Sequence, residues 1–268
     1  MHVSYEYILA GFIIILVLTT TQIYSATLLN RKVADWEQAA GYQTAEGLLD
    51  TLLLSPGEPS NWGELSYNPQ LLGLASANVF EEYALDPRKV ERLTPNSTYY
   101  IPPATLRSLL GISSTIGMSL RIVPALNVTI TPAGSDKYNL TVRDLRGLPI
   151  PNVNVTGYYV SMPFDPYTDP EIRRALTDIY GNASLSYSPK ANASLVVCVG
   201  QSDILAISTY PKDTLLIVQG NHVISSLRPA VLVVNSTTGS FFGYMRQVAS
   251  KYVKLDGYTY YVELMLWD

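Results

Sequence analysis

The 268-residue chain contains a single cysteine, Cys198, so it forms no internal disulfide, and any stability outside the cell comes from packing, attached glycans or association. Histidine is scarce as well. His2 precedes an apolar run, and His222 lies beside Gly220-Asn221 in an expected surface turn. No Gly-x-Ser-x-Gly, phosphate-binding loop, His-Glu-x-x-His or paired-cysteine pattern occurs, so the chemistries with a local signature are missing. No cofactor is expected. Charged residues make up 15% of the chain, against about 25% in ordinary globular domains. With a net charge of −4 and its Lys and Arg scattered, the chain has no basic stripe to offset phosphate, which argues against nucleic acid as a partner.

Charge is missing altogether between Glu6 and Arg31. About 24 residues rising 1.5 Å each span roughly 36 Å, enough for a hydrocarbon core of about 30 Å. The first six residues carry no Lys or Arg, and Gln22-Ile23-Tyr24-Ser25-Ala26 offers no clear small-x-small cleavage site, so a retained anchor is expected in place of a secretory signal. Beyond it, Ala45, Leu48, Leu49, Leu52 and Leu53 recur at helical spacing until Ser55-Pro56-Gly57-Glu58-Pro59 stops the run. The expected fold class is mainly β with a long N-terminal α-helix, a transmembrane segment continuing into a stalk over 1–57.

Val3-Ser4-Tyr5-Glu6-Tyr7-Ile8-Leu9, followed by the apolar run, resembles the opening of archaeal pilin-like surface proteins. The resemblance implies assembly through this stretch, with Glu6 neutralising the amino terminus of an adjacent subunit and Tyr7, Phe12, Ile13 and Leu16 packing beside it. Read from the residues alone, Glu6 sits in water at a helix N-terminus, favoured by the helix dipole. Both readings stay open, so membrane lipid and further copies of the chain in an oligomer or filament are both expected partners.

What the chain has in quantity is hydroxyl groups: 20 Tyr against 5 Phe, and Ser plus Thr at about 17%. Seven of its 13 asparagines begin Asn-x-Ser/Thr without an intervening proline, whereas chance at that composition gives roughly two. These are Asn96, Asn127, Asn139, Asn154, Asn182, Asn192 and Asn235, all beyond the apolar run, which points to N-linked glycans and an extracellular bulk. Arg31-Lys32 pulls weakly the other way under the positive-inside rule.

Along the rest of the chain, a mixed α and irregular head is expected over 58–123. One short helix is expected after the Asp86 cap and another closed by Gly111, and Arg88, Lys89 and Arg92 are expected on a solvated face. From 124 to 211 the period becomes two. Tyr138, Leu140 and Val142 alternate with polar residues, as do Val153 and Val155, and Ala183, Leu185 and Tyr187, with the sequon asparagines on the polar side. Val142-x-Asp144-x-x-Gly147-x-Pro149-Ile150, with Thr177-Asp178-x-x-Gly181-Asn182-Ala183, resembles immunoglobulin-like or carboxypeptidase-regulatory-like β-sandwich modules; the resemblance implies a spacer or adhesive domain in which these residues make turns.

Asp169-Pro170-Glu171 reads as the start of a short helix ending near Leu176. Asp165, Asp169 and Glu171 match no calcium-loop spacing, so no metal is expected. Cys198, within Leu195-Val196-Val197-Cys198-Val199, reads as a small apolar strand residue. Strands packing on the sandwich are expected over 212–268. They close with a hairpin turned at Asp256-Gly257 and an apolar strand, Leu264-Met265-Leu266-Trp267, that is either central in its sheet or paired with another molecule.

The combined expectation is a non-enzymatic cell-surface glycoprotein, single-pass or polymerised, with a structural or adhesive role. The alternative is a membrane-anchored binding module or accessory subunit of an envelope enzyme or transporter.

Overall fold

The computed structural model describes residues 19, 20, 22 and 45–267, except 78, 80, 191, 213, 220, 221, 227 and 240–244 and the side chains of 245 and 246. Among the described residues the protein is mainly β, its helices are short, and none is long and apolar enough to cross a membrane. This corrects the expected fold class. A long transmembrane-and-stalk helix and a single-pass anchor have no support in the described residues, and Glu6, Tyr7, Phe12, Ile13 and Leu16 lie outside them.

Helical residues 45–54, here α1, are packed on the body and not extended as a stalk. Ala45, Leu49, Leu52 and Leu53 are fully buried. A stripe that wide faces a sheet more readily than water. Lys251 of a long strand pairs with the helix, its Nζ 3.3 Å from Asp50. After α1 the chain doubles back. The Leu74 amide donates to the Leu52 carbonyl at 2.7 Å and the Ala75 amide to Ser55 at 3.0 Å, satisfying carbonyls at the helix end. Trp62, in the 3-10 turn Trp62–Glu64, is buried and donates its indole N–H to the Gly73 carbonyl at 2.8 Å.

β1 (Ala84–Leu85), α2 (Pro87–Glu91) and α3 (Pro103–Leu109) follow, with Asp86 capping α2 through its carboxylate to the Arg88 amide at 2.9 Å. β2 (Gly117–Pro124) then enters a five-stranded sheet with β12 (Val234–Thr238), β13 (Met245–Leu255) and β14 (Tyr258–Trp267), in the order β1-β13-β14-β2-β12. Leu255 pairs with Tyr258 across Asp256-Gly257, as the hairpin signal required. β14 lies between β13 and β2, which resolves why its last residues are apolar on both faces.

Two smaller sheets stack beside it. β3 (Asn127–Pro132), β4 (Lys137–Arg143) and β7 (Asn182–Ser186) form one, ordered β3-β4-β7. β5 (Asn154–Ser161), β6 (Glu171–Leu176), β8 (Ala193–Gln201) and β9 (Ile204–Tyr210) form the other, ordered β6-β5-β8-β9. Leu140, Val142, Leu185, Val155, Val197 and Val199 fill the space between these two. The opposite face of the four-stranded sheet contributes Tyr158, Val160, Val196 and Ile207 to the core shared with the five-stranded sheet and the hairpin of β10 (Leu216–Gln219) and β11 (His222–Ser225). A sheet buried on both faces explains the unbroken apolar run 195–199.

One element was expected with the wrong period. Residues 171–176 form strand β6, paired antiparallel to β5 from Tyr159↔Glu171 to Asn154↔Leu176, and not a helix. The ladder to β5 satisfies backbone groups that a single helical turn leaves open, so tertiary pairing overrides the capping signal.

Candidate functional site

The seven sequon asparagines are all exposed. Three share the outer face of the three-stranded sheet, because strand alternation puts Leu140, Val142, Ala183 and Leu185 inward and their neighbours outward. There the antiparallel register sets two sequons opposite each other, Asn139 against Ser184 and Thr141 against Asn182, and the Thr141 hydroxyl donates to the Asn182 side-chain oxygen at 3.1 Å. Asn127 stands on the neighbouring strand opposite Arg143. Asn235 is on β12, Asn154 on β5, and Asn96 and Asn192 are in turns.

A cleft of about 670 Å³ opens on the surface. Val123, Val128, Ile207 and Val231 give it aliphatic walls, and Arg121, Arg146 and Lys212 surround it with positive charge. None of these three side chains has a hydrogen-bonded or ion-paired partner among the described residues. The one carboxylate in the lining, Asp144, is engaged by its own turn, accepting from the Arg146 amide at 2.9 Å and the Leu148 amide at 2.8 Å. Glu263, opposite Arg121 on β14, accepts from the Tyr261 hydroxyl at 3.1 Å. Asn127 lines the cleft too. Sequence reasoning missed this site, because its cations come from a strand, a turn and the segment after β9, and no local pattern joins them.

Two cations expected in solvent are buried, which corrects the solvated-face reading of the Arg88, Lys89 and Arg92 cluster. Lys89 is 0% exposed and donates to the carbonyls of Pro56 and Ala75, both at 2.8 Å. Arg92 donates to the carbonyls of Trp62, Tyr67 and Tyr99, and its guanidinium lies 5.3 Å from the Trp62 ring centroid. The irregular segment 55–75 has carbonyls that no sheet or helix receives, and these two side chains reach them. Desolvation lowers both pKa values, with Asp86 partly opposing the shift at Lys89 and Tyr99 at Arg92. Only Arg88 remains outside, paired with the exposed Glu64.

Tyr138, Tyr159 and Tyr187 cluster beneath the three-stranded sheet, with Tyr159 and Tyr187 stacked at 4.6 Å and Tyr210 at 5.6 Å from Tyr138. The Tyr159 hydroxyl donates to Asp136, and Lys190 lies 5.5 Å from the Tyr159 ring centroid. Burial raises the pKa values of Tyr138, Tyr159 and Tyr187. The Tyr187 hydroxyl is buried and has no hydrogen-bond partner among the described residues. Nothing in the group resembles an activated base or nucleophile, since each ionisation is pushed away from neutrality.

The remaining candidates are accounted for by structure. Burial pushes the Cys198 thiol up to about 11, against the opposing hydrogen bond with Tyr258, which disfavours the reactive thiolate. His222 is exposed at the start of β11. Glu171 accepts from the Ser188 amide at 3.1 Å and from Arg173 at 2.7 Å; these outweigh its desolvation and hold the carboxyl below the usual range. Asp165 caps the turn that follows it. Among the described residues no group of three His, Cys, Asp or Glu is placed to hold a metal ion.

Comparison with protein-family models and with curated proteins finds no match.

Proposed function

We propose that the chain is a non-enzymatic cell-surface glycoprotein with a structural or adhesive role, its β-rich body carrying N-linked glycans outside the cell. The observation that carries this reading is the exposure of all seven sequon asparagines, three of them on one sheet face. An oligosaccharyltransferase needs an accessible asparagine, and all seven meet that requirement. The low charge and hydroxyl-rich composition support the same setting. The Ser4-Tyr5-Glu6 opening and the apolar run behind it support a pilin-like assignment, with self-association as the mode of partnership.

Single Asn→Gln substitutions at 139, 154 and 235, expressed in the native host, test the reading by electrophoretic mobility. Each is expected to run faster by one glycan. Unchanged mobility for every sequon variant contradicts the glycoprotein reading.

A further inference from the structure

A loop and a cleft on this chain carry opposite charges. Between β5 and β6, residues 165–168 form a turn braced by Asp165: its carbonyl accepts from the Thr168 amide at 3.2 Å, its Oδ1 from the Tyr167 amide at 3.0 Å, and its Oδ2 from the Thr168 hydroxyl at 3.0 Å. Pro166 presets the backbone of the second position. At the tip, Tyr167 is 95% exposed, more than any other large apolar side chain of the described residues. Asp165 and Asp169, both exposed, flank it. An aromatic ring on a turn already ordered by its own hydrogen bonds loses little entropy when it docks, which is the character of an interface anchor.

The 670 Å³ cleft has the opposite features: a concave aliphatic surface to receive a ring, and three cations without carboxylate partners in a chain of net charge −4. β6 and β9 are the two outer strands of one sheet, three strand spacings or about 14 Å apart. The loop belongs to the β6 edge and the cleft to the β9 edge of that sheet.

We propose that Tyr167 of one copy, with Asp165 and Asp169, docks in the Arg121–Arg146–Lys212 cleft of a second copy. The contact is head-to-tail, so one copy of a pair retains a free cleft and the other a free loop, and the assembly closes into a ring or continues as an open array. A single turn covers less than a standard-size interface, so the contact is weak alone and gains strength by repetition. This goes beyond the glycoprotein reading, on which it does not depend. It does constrain one sequon: Asn127 lines the cleft, so docked copies carry no glycan there.

The test uses the full chain in mild detergent, with Tyr167 replaced by photoreactive benzoylphenylalanine, mixed with isotope-labelled unmodified full chain and irradiated. Mass spectrometry is expected to find crosslinks to labelled peptides from 121–128, 144–147, 207–212 or 229–233. Lys212→Glu in the labelled copy is expected to lower the yield about tenfold, and Asp169→Lys in the photoreactive copy to restore much of it. Crosslinks confined to other surfaces or to lipid, a yield indifferent to Lys212→Glu, or full glycan occupancy at Asn127 in assembled material would each overturn the contact. Mobility shifts at the other sequons are unaffected by that failure, so it is distinguishable from failure of the glycoprotein reading.

Discussion

At the scale of single residues, two kinds of buried polar group behave differently. The Lys89 ammonium is desolvated, yet it fills two carbonyls that no other group among the described residues reaches. Lys89→Met keeps the volume and removes the charge but leaves both carbonyls unpaired, so it is expected to destabilise by about 1–3 kcal/mol in urea unfolding. Tyr187→Phe is expected to leave the melting temperature unchanged or raised, because the hydroxyl it removes has no hydrogen-bond partner among the described residues. Tyr159→Phe, which strips Asp136 of its donor, is expected to cost about 1–2 kcal/mol in the same assay.

The phenols also fix an alkaline limit. Burial raises the ionisation of Tyr138, Tyr158, Tyr159, Tyr187, Tyr258 and Tyr260, the last to about 12. The unfolded chain therefore releases those protons first as pH rises. Stability from this source is complete below the ordinary phenol value of about 10 and is lost above it. Lys89, held low, acts with the opposite sign just below the ordinary lysine value, one ammonium against six phenols. Thermal unfolding across the alkaline range is expected to show a steep fall in melting temperature beginning near pH 10, with the phenolate absorbance of the six buried tyrosines appearing in step with unfolding.

At the scale of elements, much was legible where one face meets water and one meets the core. β4 and β7 alternate cleanly, and the Asp256-Gly257 hairpin and the Asp86 cap stand where the sequence placed them, whereas the apolar stripe of residues 45–54 packs on the body and not along a stalk. What was not legible depends on long-range pairing. β6 carries a helix-start signature but is held by β5, and Lys89 and Arg92 read as surface residues until the carbonyls of segment 55–75 come within reach. The cleft, assembled from residues about 90 positions apart, left no local trace. The return of the chain after α1 depends on Gly73, where an added Cβ would lie 2.3 Å from the Ser55 carbonyl oxygen and 2.5 Å from the Gly57 amide nitrogen. Both are backbone atoms and cannot swing aside. Gly73→Ala is therefore expected to cost about 1–3 kcal/mol or more and to loosen α1, read as faster amide exchange at Leu74 and Ala75.

At the scale of the whole molecule, three larger sheets and the β10-β11 hairpin share two cores and leave a surface of hydroxyls, amides and sequons with few charges. One sheet face carries three candidate glycans, while the braced Tyr167 turn carries none within it. That division suits a body that is shielded over part of its surface and self-associating over another. The most direct measurement is site-by-site glycan occupancy, by mass spectrometry of peptides from the chain isolated from its own cells. The account predicts glycans at Asn96, Asn139, Asn154, Asn182, Asn192 and Asn235 and an unmodified Asn127; seven unmodified asparagines would contradict it.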